Sequence, residues 1–120
     1  MVSLEQFCYG AAGCYPEELG EVGEIELPVE LLVATRPYLN ERRIGGGPPV
    51  GVRGHRSLPE VIVLEDVPYL VDGHHKAKRA FDEGVNFLLC RALITESIRV
   101  AEKLERRGVD FIGNIQIGNV

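Results

Sequence analysis

Two short apolar runs in the middle of the chain predict a β-hairpin. Val61–Leu64 and Pro68–Val71 flank the polar pair Glu65 and Asp66, and two strands joined by a short polar turn are typical of a hairpin. A third run, Phe87–Ile94, is mostly apolar. It predicts a strand that is buried on both faces of a sheet.

A helical spacing follows the hairpin. Within residues 74–83 the apolar side chains are Ala77, Ala80 and Phe81, and positions i, i+3 and i+4 share one helix face. The spacing predicts an amphipathic helix that packs these three residues against the sheet, and Gly84 is a natural helix end.

A second helix follows the apolar strand. Thr95 is the predicted N-cap, and Ile98, Ala101 and Leu104 form the predicted buried stripe, with Gly108 ending the helix. A last strand is predicted over residues 109–112.

The first part of the chain has weaker signals. Four glycines and a proline predict irregular structure in residues 1–23, which we treat as an N-terminal extension of a domain over residues 24–120. Glu24–Leu27 alternates polar and apolar residues and predicts a half-buried strand. Val29–Ala34 fits either a helical turn or a strand. Together the elements predict an α+β fold, with helices packed on a small mixed sheet.

Residues 45–59 predict a long loop. Gly45–Pro49 contains three glycines and two prolines, which do not form regular structure. A connection of this length is usually functional or disordered. It contains Arg53 and Arg56, so it either closes over an anion or forms a solvated basic loop.

Composition narrows the class of protein. The 120 residues fit one domain, and the hydrophobic fraction of 45% is that of a globular protein. The net charge of −5 argues against a DNA partner, because non-specific nucleic-acid binding needs clustered Lys and Arg. No apolar run is long enough to span a membrane and the start does not resemble a signal peptide, so we expect a cytoplasmic protein without a membrane partner.

The junction between the hairpin and the first helix carries the candidate chemistry. The order there is Asp72, Gly73, His74, His75 and Lys76. Glycine allows a ligand close to the backbone, and the first turn of a helix has unpaired N–H groups and a positive dipole end. The histidines and lysine add donors and charge, so the sequence predicts a phosphate site here. The alternatives are a helix cap and a solvated first turn.

The segment Val71–Ala80 resembles the helix-opening motif of the ParB/sulfiredoxin superfamily. The resemblance covers residues 24–94 and implies that fold, with nucleotide phosphates bound at the helix start. Members include ParB proteins that bind CTP, sulfiredoxins that use ATP, and kinases that phosphorylate free serine. None of the three cysteines lies in the motif, so the adjacent His74 and His75 bring the chain closest to the kinase-like branch.

That branch implies a catalytic role for Asp72 and a second, upstream Glu, for which Glu30 is the choice over Glu26 and Glu41. The resemblance thus implies a nucleotide-binding domain that uses ATP, ADP or CTP, with Mg²⁺, and transfers phosphate to a small hydroxyl substrate such as free serine. The alternatives are a non-enzymatic nucleotide-responsive module with a protein or DNA partner, and a nuclease. No metal site made by protein residues alone is expected. The expected phosphate-binding residues are Gly73, His74, His75, Lys76, Arg79, Arg53 and Arg56.

Overall fold

The computed structural model describes residues 3–36, 38–40 and 58–118. The helices in these ranges are α1 (Leu4–Ala12), α2 (Pro16–Leu19), α3 (His74–Asp82) and α4 (Ile98–Arg107). The strands are β1 (Gly20–Pro28), β2 (Val33–Ala34), β3 (Tyr38–Asn40), β4 (Glu60–Leu64), β5 (Val67–Asp72), β6 (Phe87–Thr95), β7 (Asp110–Phe111) and β8 (Gln116–Gly118). Short 3-10 turns span Val29–Leu31 and Ile112–Asn114.

Six of the strands form one mixed sheet in the order β1-β6-β4-β5-β2-β7. β6 and β4 are parallel, as are β5 and β2, and the other neighbours are antiparallel. β3 and β8 form a separate parallel pair. The β4–β5 hairpin is confirmed, and its turn residues Glu65 and Asp66 have φ of 48° and 66°. These left-handed values match the tight turns whose twist suits a hairpin.

Helices cover both faces of this sheet. On one face α3 packs on a core drawn from β4, β5, β6 and the two 3-10 turns. On the other face α1 and α4 enclose a second core, in which Leu4, Leu93 and Leu104 are fully buried. The α+β prediction, a small mixed sheet with packed helices, is confirmed. No helix in the described ranges is both long and apolar enough to cross a membrane.

The prediction of irregular structure near the N-terminus is wrong. Ser3 caps α1 by accepting the Gln6 N–H, and Leu4, Phe7 and Cys8 are buried beneath the sheet. Their i, i+3, i+4 spacing is a helical signal that the nearby glycines obscured. Residue 23, the proposed domain boundary, lies inside β1.

Two predictions around β6 are also wrong. Phe87 and Leu89 are 59% and 41% exposed, because the second core, on the face opposite α3, takes from β6 only Leu93, near the other end of the strand. Thr95 ends β6 and donates its hydroxyl proton to the Leu19 carbonyl at 2.7 Å. Ser97 instead caps α4, accepting the Val100 N–H. The predicted buried stripe of this helix is confirmed at Leu104 but is wrong at Ile98, which is 74% exposed.

The buried stripe of α3 is confirmed at Ala77 and Ala80, which are fully buried, but not at Phe81. Phe81 is 39% exposed and lies at the edge of the core. Its ring sits so close to Gly113 that a Cβ there would come within 2.4 Å of it. The fully buried positions are thus the small ones, which let α3 approach the sheet closely.

Candidate functional site

The junction between β5 and α3 depends on Gly73. Its φ of 90° lies in the left-handed region, which side chains disfavour. A Cβ at this position would lie 2.8 Å from the Cα of Pro59. The close backbone approach expected of this glycine is therefore made by Pro59, the last residue of the predicted arginine-containing loop.

His74 lies inside the protein. Its Nε2 accepts the Thr35 N–H at 2.9 Å. The Thr35 hydroxyl is 3.2 Å from the same nitrogen and donates to the Leu70 carbonyl at 2.8 Å. An Nε2 that accepts a backbone N–H requires the ring proton on Nδ1. His74 thus fastens α3 to the segment after β2, whereas the sequence predicted that it donates to a phosphate.

The surroundings of His74 disfavour its protonated, positively charged form. Burial is the main cause that lowers its pKa to about 4, and the charges of Arg36 and His75 lower the pKa further. His74 is therefore neutral near pH 7. Arg36 follows Thr35, so the Thr35–His74 hydrogen bond brings the backbone of Arg36 to the start of α3.

The first turn of α3 contains two histidines and a lysine but no acidic residue. Helices usually favour acidic residues there, because the positive end of the dipole attracts anions and repels cations. Lys76 is half-buried, and burial lowers its pKa. This end of the helix therefore gathers basic side chains in a partly desolvated setting.

Asp72 closes β5 next to this turn. One carboxylate oxygen, Oδ1, accepts the Gly73 N–H at 2.9 Å. Across the hairpin, Glu60 is in register with Asp72. The Glu60 carboxylate is engaged elsewhere, because it accepts Arg91 Nη1 at 2.6 Å and the Leu4 N–H at 2.8 Å. Arg91 also binds Glu5, so this cluster fastens α1 to the sheet.

The structure does not bring every predicted residue to the start of α3. Arg79 Nε pairs with Glu83 at 3.1 Å, toward the C-terminal end of the helix. Glu30 is exposed and lines a pocket of about 370 Å³ with Phe81 and Gly84. That pocket lies at the C-terminal end of α3, about 12 Å along the helix from Asp72. The prediction that Glu30 is the acidic partner of Asp72 is not supported by this placement.

The remaining predicted residues lie outside the described ranges or away from the start of α3. Arg53, Arg56 and Glu41 lie outside the described residues. Glu26 is exposed on β1, opposite Leu89. Within residues 3–36, 38–40 and 58–118, no three His, Cys, Asp or Glu side chains gather as a metal-binding group.

Arg36 and Thr35 are the site residues that the sequence did not reveal. They follow β2, which pairs with β5 through Val33 and Tyr69. Residues 36–58 contain five Arg and one Glu, so the positive charge of Arg36 and its neighbours is visible in the sequence. The long-range strand pairing that brings Arg36 to α3 is not.

Comparison with known proteins bears on the fold. No protein-family model matches the chain, and no curated protein matches it. The chain is similar in structure to protein Atu1540 from Agrobacterium tumefaciens, with a TM-score of 0.60 and 16% identity. The similarity covers 79% of this chain and 62% of Atu1540, so the chain spans less than two thirds of that protein. At this identity the likeness concerns the fold alone.

Proposed function

We propose that the chain binds a nucleotide through its phosphates at the start of α3. The observation that carries the proposal is the first turn of α3, where the basic side chains His75 and Lys76 stand in place of the acidic residues that usually occupy this turn. A bound phosphate would neutralise both the side chains and the dipole. The resemblance of Val71–Ala80 to the ParB/sulfiredoxin motif supports the same site.

Three side chains would hold the phosphates. His75 and Lys76 come from the first turn, and Arg36 approaches from the segment after β2. The planar guanidinium group of Arg36 can donate two parallel hydrogen bonds to a pair of phosphate oxygens, whereas the ammonium group of Lys76 acts as a point charge. His74 keeps its acceptor role and holds the two segments together. The half-burial of Lys76 strengthens its attraction for an anion, because water screens it less.

We propose phosphoryl transfer to a small hydroxyl, such as that of free serine, as the reaction. The acceptor oxygen attacks the terminal phosphorus of ATP, Asp72 takes the hydroxyl proton, and ADP leaves. Mg²⁺ would be held by the phosphate oxygens of the nucleotide, which leaves the Asp72 carboxylate to act as the base. Positioning and charge neutralisation then supply most of the catalysis.

A non-enzymatic nucleotide-binding module is the second candidate. One observation favours it: Glu60, the carboxylate in register with Asp72, is occupied by Arg91 and the start of α1. In the described part of the chain, Asp72 therefore has no second carboxylate shown to share its site. Binding without turnover would follow from that arrangement.

A thermal-shift screen distinguishes these candidates when it is followed by a turnover assay. A ligand that binds only the folded state raises Tm, so ATP, ADP and CTP are compared with and without Mg²⁺. The stabilising nucleotide is then incubated with free serine, and phosphoserine is measured. We expect Asp72→Asn to keep binding and lose turnover, and the surface control Asp82→Asn to keep both. No Tm rise with any nucleotide contradicts the proposal, and binding without phosphoserine favours the module.

A further inference from the structure

A groove runs beside α4, on the face of the sheet opposite α3. Its first part, a cavity of about 570 Å³, lies between the β4–β5 turn, the end of β6 and α4. A second cavity of about 260 Å³ continues it toward β2 and β7. Tyr69 and Glu105 line both cavities, so the two cavities adjoin, and together they make up the groove.

The groove has apolar side chains open to solvent along its length. Ile98, in the first turn of α4, is 74% exposed, and Val67 and Ile94 are exposed beside it. Val109 and Phe111 are exposed in the second cavity. Exposed apolar residues scattered singly are ordinary, whereas several along one concavity mark a contact surface.

Six carboxylates line the same groove: Glu65, Asp66, Glu96, Glu102, Glu105 and Asp110. Among the residues that the structure describes, none of the six forms an ion pair with a Lys or Arg nitrogen within 4.0 Å. The basic residues Lys103 and Arg107 of α4 lie over the Phe7 ring instead, toward α1. Helix α4 thus presents acids to the groove and directs these bases away from it.

We propose that this groove binds a basic amphipathic segment of a partner protein in extended form. Lys or Arg side chains would meet the carboxylates, and apolar side chains between them would cover Ile98 and Val67. The carboxylates favour a cationic partner through charge complementarity. The exposed apolar residues favour a peptide over a small polyamine, because a peptide also has apolar side chains to cover them. The part of the groove beside α4 is about 15 Å long, which fits roughly five extended residues.

The test uses the full chain and a fluorescein-labelled (Lys-Leu)4 peptide, with binding measured by fluorescence anisotropy. The groove variant Glu102→Gln/Glu105→Gln should weaken binding about fivefold. The control Glu24→Gln/Glu26→Gln removes the same charge from exposed positions on β1 and should change binding less than about twofold. Circular dichroism checks that both variants fold.

A second pair of variants tests the apolar contribution. Ile98→Ser should weaken binding, whereas Leu31→Ser, an exposed apolar position outside the groove, should not. Equal losses in the groove and control variants would overturn the proposal, as would the absence of binding or equal binding of (Glu-Leu)4. Complete displacement of the peptide by spermidine at equal charge concentration would assign the groove to a polyamine and overturn the proposal. A dimer of the chain that the groove variant dissociates would assign the groove to a second copy and overturn it as well.

Discussion

The buried His74 should make the protein less stable as the pH falls below 6.5. In the folded state its Nε2 accepts the Thr35 N–H, and burial lowers its pKa to about 4 from the ordinary 6.5. Below pH 6.5 the unfolded chain therefore binds a proton that the folded chain does not. Stability is full above the unfolded pKa and is lost as the pH falls toward 4.

The size of the effect follows from the two pKa values of His74. One pKa unit corresponds to about 1.4 kcal/mol, so the interval from 6.5 to about 4 amounts to about 3 kcal/mol. About 2 kcal/mol of this should already be lost between pH 7 and pH 5.

Urea unfolding at pH 7 and pH 5 measures this loss in the wild type and in His74→Gln. The glutamine side chain can place an acceptor near the position of Nε2 but does not titrate in this range. Carboxylates titrate equally in both proteins, so the difference between the two pH slopes isolates His74. Equal slopes would contradict the buried, neutral His74.

Three further predictions concern the packing around the site. Gly73→Ala should destabilise the fold by about 2–3 kcal/mol, because it adds a contact with Pro59 to the left-handed strain, whereas Gly84→Ala, with nothing within 4 Å, should cost about 1 kcal/mol. Phe81→Ala should cost about 1–2 kcal/mol in chemical denaturation, below the 3–5 kcal/mol of a buried phenylalanine, because Phe81 is half-exposed. Arg91→Met should lower stability by about 1–3 kcal/mol, since it strips two partly buried carboxylates of their partner. Equal losses of stability for the two glycine variants would contradict the Gly73–Pro59 contact. A loss above about 2 kcal/mol for Phe81→Ala would contradict its half-exposed position. Unchanged stability of Arg91→Met would contradict the role of its ion pairs.

The parts of the fold that the sequence predicted are those with local signals. The β4–β5 hairpin has its turn between its two strands, and α3 has a polar–apolar period and an ending glycine. The N-terminal helix has conflicting local signals, because the apolar spacing of Leu4, Phe7 and Cys8 favours a helix and the nearby glycines disfavour one. The placement of Arg36 depends on the pairing of β2 with β5, which joins distant segments and has no local signal.

The inward position of His74 was visible in the spacing. It precedes Ala77 by three residues, so it shares the buried stripe of α3. His75, the next residue, faces a different way on the helix, so the two adjacent histidines do not share one role. The position of Glu30 near Phe81 and Gly84, away from Asp72, depends on how the elements pack in three dimensions, which their order along the sequence does not specify.

The most direct test of the phosphate site is calorimetric titration of the nucleotide that most raises Tm. We expect His75→Ala/Lys76→Ala to weaken its affinity by about tenfold or more, since the variant removes two of the basic groups at the start of α3. Arg99→Ala/Arg106→Ala, which removes two exposed cations from α4, should leave the affinity unchanged. Equal affinity of the wild type and the His75/Lys76 variant would place the phosphates elsewhere and contradict the proposed function.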